Sequence, residues 1–151
     1  MKINGPILAG VVLAVLALGA YMSKPRGIRN HNPGNIRHGS KWQGMAAIQT
    51  DKSFVQFDSA EWGIRALYKV LLTYRNKHSL DSVAGIIDRW APPSENDTGA
   101  YVESVARRLG VSVNETLSLD RYPELVAAII KHENGRNPYD MDTIRAGIGL
   151  A

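Results

Sequence analysis

Apolar positions along the chain follow two regimes. Residues 7–22, ILAGVVLAVLALGAYM, form a charge-free run that is apolar on every face, unlike the single stripe of an amphipathic core helix. After it the spacing becomes three and four residues. FDSAEWGIRALYKVLLTYRNK sets Ile64, Leu67, Leu71 and Tyr74 on one side, which predicts a long helix opened by a capping box of Asp58 and Glu61. LDSVAGIIDRW repeats the pattern with Val83, Ile86, Ile87 and Trp90. A third helix is predicted from Thr98 through Tyr101, Val102, Val105 and Leu109 to a stop at Gly110. A fourth starts at Pro123, a favoured first-turn residue, and carries Leu125, Ala128 and Ile129 to Glu133. MDTIRAGIGLA predicts a short terminal helix. Residues 29–57 differ in texture: Asn, Pro and Gly come first, then a weak alternation at Phe54, Val55 and Phe57, as in a loop followed by a small hairpin.

At about 1.5 Å per residue, the apolar run with Gly5, Pro6 and Ser23 approaches the roughly 30 Å hydrocarbon core of a bilayer. It predicts an N-terminal transmembrane anchor over residues 1–23, a linker over 24–26 and one helical domain over 27–151. A cleavable signal peptide is the competing reading, since Lys2 supplies a minimal basic start and Ala20 lies near the end of the run, although the A-x-A pattern is poor. The anchor implies a single-pass membrane protein. Lys24, Arg26 and Arg29 outweigh Lys2 and the terminal amine, which places the domain on the cytoplasmic side by the positive-inside rule.

Charge is unevenly spread around the net +4: residues 1–50 hold six Lys or Arg and no acid. Such a segment suits a lipid surface, an acidic polymer or nucleic acid, and its place beside the apolar run favours lipid over nucleic acid. With no cysteine, disulfides and thiolate metal sites are excluded. His31, His38, His78 and His132 lack ligand spacing, and neither a phosphate loop nor a G-x-S-x-G elbow occurs. No metal or cofactor is expected, and any hydrolysis would rest on carboxylates.

Several residues stand out. Asn30, Asn32 and Asn35 surround a Pro-Gly turn, where their amides can bond the loop's own backbone or a polar ligand. Trp42 suits a core or a sugar ring. In WAPPSENDTGAY, Asp97 and Thr98 suit the start of the next helix, while Glu95 is open to either role. Glu133 and Asn134 end a helix where the dipole favours a cation. That position disfavours an ionised carboxylate and suits a proton donor; the plain alternative is a surface acid ahead of a glycine cap.

AAIIKHENGRNP is similar to the catalytic helix of lysozyme-like lytic transglycosylases, which ends in Glu-Ser-Gly followed shortly by Asn-Pro. Glu133, Asn134, Gly135, Asn137 and Pro138 match it, with Asn in place of Ser. NPGNI followed by KWQG, FVQFDS and the helix to Tyr74 resembles the region after the catalytic helix in bacterial wall glucosaminidases of the same superfamily. RWAPPSENDTGAYVESVARRLG resembles their later loop and Tyr-containing helix. The order differs, because the glutamate helix comes first in those enzymes and last here. A circular permutation accounts for this when the old termini lie close together on the surface. It would bring Glu133, residues 30–35 and residues 95–101 to one cleft. Residues 26–151 also resemble small phage virion proteins sharing RNxNPGNI and WAPPxENDT, and the apolar run points to a membrane-containing, corticovirus-like phage.

The resemblance implies a mainly α (α+β, lysozyme-like) domain that cleaves the peptidoglycan glycan strand, by hydrolysis or transglycosylation, to open the cell wall during phage entry or release. Glu133 is then the general acid, and Glu95, followed by Asp97 and Glu61, the second carboxylate. Asn30, Asn32, Asn35, Tyr101 and Asn134 would contact the sugars, with Trp42 stacked on a ring. The implied partners are the glycan strand, a virion or host inner membrane through residues 7–22, and other virion proteins. A reading of a different class is a minor virion membrane protein whose domain binds glycan or stabilises the capsid without turnover.

Overall fold

The computed structural model describes residues 18–21 and 23–151. Most of the proposed anchor lies outside the described residues. Among those described, no helix is long and apolar enough to cross a membrane, and the single-pass membrane localisation is corrected on that finding. Arg26, assigned above to a linker, instead belongs to a short helix, α1 (Arg26–Arg29).

Five longer helices follow: α2 (Ala60–His78), α3 (Val83–Trp90), α4 (Thr98–Leu109), α5 (Tyr122–Asn134) and α6 (Met141–Gly149). Their ends obey local chemistry. Ser82, Asp97 and Asp140 accept a hydrogen bond from the backbone of the first turn of α3, α4 and α6. Gly110 and Gly135 close α4 and α5 in the left-handed conformation that glycine adopts without a Cβ penalty. The capping box foreseen for α2 does not form. Ser59 is its N-cap, without a side-chain bond, and the Asp58 N–H that Glu61 would have reached back to is given to the Gly44 carbonyl in the adjoining loop.

The apolar faces meet in one main core that includes Leu67, Leu71, Ile86, Tyr101, Leu125 and Ile129. α5 is buried along most of its length, and α6 lies along α2. There a Cβ on Gly147 would stand 2.6 Å from Ile64 Cγ2, a separation that only glycine permits.

Residues 30–58 form no strand. Two isolated antiparallel bridges, Arg37 with Phe54 and Met45 with Phe57, stand where the hairpin was expected, so the fold is mainly α and the α+β expectation is corrected. Side chains take the bonds that a ladder would have made. Asn32 Nδ2 donates to the Ile36 and Val55 carbonyls and its Oδ1 accepts from the Ile36 N–H. The Gln49 side chain donates to the Gln56 carbonyl and accepts from the Gln56 N–H. Asp51 accepts from Arg26, from Asn30 and from the Ser53 and Phe54 N–H groups. A small second cluster of Val55, Phe57 and Ala66, with Trp42 and Trp62 against it, sits on this loop.

Arg26 beside Asp51, at 2.6 Å, holds the aspartate carboxyl well below the usual carboxylate range, helped by Asn30 and the two backbone donors. The sign follows from linkage: stability from this hub is fully present above the unfolded value of about 3.9 and is lost as pH falls through the depressed folded value. The Asp51 side chain is 9% exposed and Arg26 48%, so solvent screens part of the pair. Asp51→Asn should cost about 1–2 kcal/mol at neutral pH, with the gap to the parent narrowing as pH drops below about 4. Urea unfolding across that range checks this; a gap that stays constant with pH would contradict it.

Candidate active site

Three separate segments converge on the end of α5. The Glu133 carboxylate accepts a hydrogen bond at Oε1 from Trp90 Nε1, 3.0 Å away, and another from the Tyr101 hydroxyl at 3.1 Å. Asn35 Nδ2 approaches Oε2 at 3.5 Å. Trp90 is the last residue of α3, Tyr101 lies one turn into α4, and Asn35 ends the Pro-Gly turn. The carboxylate is half-buried and lines an open cleft of about 390 Å³, within the size range of small-ligand sites. Asn35, Trp90, Tyr74 and Glu95 share its walls. A hollow of about 260 Å³ beside Arg108, Lys131 and His132 is smaller and has no carboxylate in its lining.

Burial pushes the Tyr101 hydroxyl far above its usual range, and the Glu133 charge and hydrogen bond push it further. Tyr101 therefore stays a donor at any working pH. Its ring stacks on His132 with centroids 3.5 Å apart, which fixes the direction in which the hydroxyl points.

Asn134 faces the other way. Its Nδ2 donates to the Pro33 carbonyl at 2.8 Å and to the Ile130 carbonyl at 2.9 Å, so it clamps the end of α5 to the Asn-rich turn. Gly27 of α1 packs against this clamp. A Cβ there would lie 2.6 Å from Asn134 Oδ1, 2.7 Å from Asn35 Oδ1 and 2.9 Å from the Asn32 carbonyl.

The residues singled out by sequence divide accordingly. Glu133, Asn35 and Glu95 come together around one cleft, with Glu95 exposed at its edge, and Tyr101 is buried behind Glu133 with its hydroxyl on the carboxylate. Asn30 and Asn32 are buried and spend their amides on Asp51 and on the loop backbone. Asn134 is a clamp, and Trp42 packs in the second hydrophobic cluster, apart from the cleft lining. Asp97 caps α4, and Glu61 lies in the first turn of α2. Trp90 was read as a core position of its helix. The hint in the sequence was its place immediately before the rigid Ala-Pro-Pro loop, where a helix ends and an indole edge can leave the core.

No family model matches the chain. Protein P5 of Pseudoalteromonas phage PM2 is 44% identical over 126 residues, covering 81% of this chain and 79% of that protein. The chain belongs to the family of this phage protein. The match agrees with the resemblance to small phage proteins.

Gly27→Ala tests this packing. In an unhindered helix alanine gains about 1 kcal/mol over glycine, whereas here the clash with two asparagine side chains and a backbone carbonyl should cost about 1–3 kcal/mol. A lowered midpoint in denaturant unfolding is expected, and an unchanged or raised one would contradict the packing described.

Proposed function

We propose that the chain is a phage virion protein whose domain cleaves the glycan strand of peptidoglycan, with Glu133 as general acid, to open the cell wall locally during entry or release. The observation that carries this reading is the convergence of Asn35, Trp90 and Tyr101, from distant parts of the chain, on a Glu133 carboxylate that lines one cleft. The similarity of residues 127–138 to lytic transglycosylase helices supports it, as does membership in a phage protein family.

The geometry suits proton donation. Both short bonds engage Oε1, which leaves Oε2 to carry the proton and face a glycosidic oxygen. As the proton leaves, the indole N–H, the phenol and the Asn35 amide stabilise the carboxylate that forms. The same group can then take a proton back from the incoming nucleophile. In hydrolysis that nucleophile is water, and Glu95 is the second carboxylate on the cleft wall. In transglycosylation it is a hydroxyl of the sugar itself, and no second carboxylate is required. Asn35 is placed to hold an N-acetyl or hydroxyl group of the sugar.

A binding role without turnover is the second reading. It is favoured by one observation, the use of Glu133 Oε1 as the acceptor for two partly or fully buried donors, which also makes the residue structurally useful. Glu133→Gln keeps an oxygen acceptor for both donors and removes the acid. With the full chain and purified peptidoglycan, mass spectrometry of released fragments should show cleavage by the parent and a loss of about 10²–10⁴-fold in the variant. Anhydro products indicate transglycosylation and reducing ends hydrolysis. Retained cleavage in the variant would remove Glu133 from the role, and none by the parent would leave the binding reading.

A further inference from the structure

The cleft has one charged lip. Arg37 lines it together with Glu133, Trp90 and Glu95, on the segment bridged to Phe54. Its guanidinium lies 5.2 Å from the centre of the Phe54 ring, which restricts its motion without neutralising it. Arg26 approaches the same ring at 4.7 Å, but its charge is taken by Asp51. Among the described residues no carboxylate lies within ion-pair distance of Arg37. An exposed cation in this position offers a planar pair of N–H donors to whatever enters the cleft. That edge matches a carboxylate in geometry as well as charge.

A glycan of neutral sugars has no anionic group for such a donor to pair with. Peptidoglycan does, because alternate sugars carry a lactyl ether extended by an acidic peptide. We infer that Arg37 pairs with a carboxylate of this substituent and makes the cleft selective for peptide-bearing strands. The inference rests on the glycan reading of the Glu133 cleft and names the part of the substrate that the cleft distinguishes. Glu95, exposed on the same wall, adds repulsion against a misplaced acid and so helps to set the direction in which the strand lies.

The test uses the full chain, its Arg37→Gln variant, and soluble peptidoglycan strands with their carboxylates either free or converted to amides. Binding and cleavage are both measured at low salt, where an exposed pair is least screened. The parent should lose about three- to tenfold in binding and in kcat/KM on amidation, and the variant should start lower by that factor and ignore amidation. A variant that matches the parent on free-carboxylate strands, or is equally impaired on both, overturns the assignment while leaving Glu133 catalysis intact. A parent that discriminates in binding but cleaves neither strand supports the Arg37 contact and removes the catalytic reading. Failure to bind either strand overturns both.

Discussion

The clamp from Asn134 to the Pro33 carbonyl is the contact on which the site depends. It joins positions 101 residues apart in the chain, and it is buried. A lost partner there would leave a polar carbonyl without water or a donor, a penalty of about 1–3 kcal/mol. The second bond of the same amide, to Ile130, closes the last turn of α5. One side chain therefore sets both the end of the helix and its distance from the Pro-Gly turn. Glu133, the preceding residue, is carried to Trp90, Tyr101 and Asn35 as a consequence. The unfavourable place of an acid at a helix end becomes tolerable because three donors meet it from outside the helix.

Gly27 and Gly135 make this geometry possible for different reasons. Gly135 turns the chain out of α5 at φ 71°, while Gly27 lets α1 approach two asparagine oxygens more closely than a side chain would allow. The Asp51 hub secures the other side. By holding Arg26 and the loop residues after it, it fixes the segment from which Asn35 and Arg37 project. Rigid support from secondary contacts is what a preformed cleft needs, since binding then orders few additional groups.

The helices were legible because burial on one face imposes a period that survives in the residue pattern, as at Ile64, Leu67 and Leu71. Helix ends at Asp97, Gly110 and Gly135 were equally legible, because capping is local chemistry. The hairpin was not. Alternation at Phe54, Val55 and Phe57 reads as a strand, but Asn32, Gln49, Asp51 and Gln56 satisfy that backbone with side chains, and such pairings carry no period. The convergence of Glu133, Asn35 and Tyr101 was anticipated through likeness to known motifs rather than through spacing. Trp90 escaped because its position satisfies the core pattern, and only the folded chain reveals where its indole N–H points. Asn30 and Asn32 show the reverse error: residues suited to a ligand can be consumed by their own loop.

Ligand contact at the Trp90 indole tests the account most directly. The chain has three tryptophans, Trp42, Trp62 and Trp90, whose indole N–H signals can be followed separately by NMR. The ligand of choice is a peptidoglycan fragment with sulfur in place of the scissile oxygen, so that it persists. If the Glu133 cleft holds the glycan, the Trp90 signal moves together with the Asn35 amide, while Trp42 and Trp62 stay in place. An unmoved Trp90, or shifts centred on Trp42 and Trp62, would contradict it.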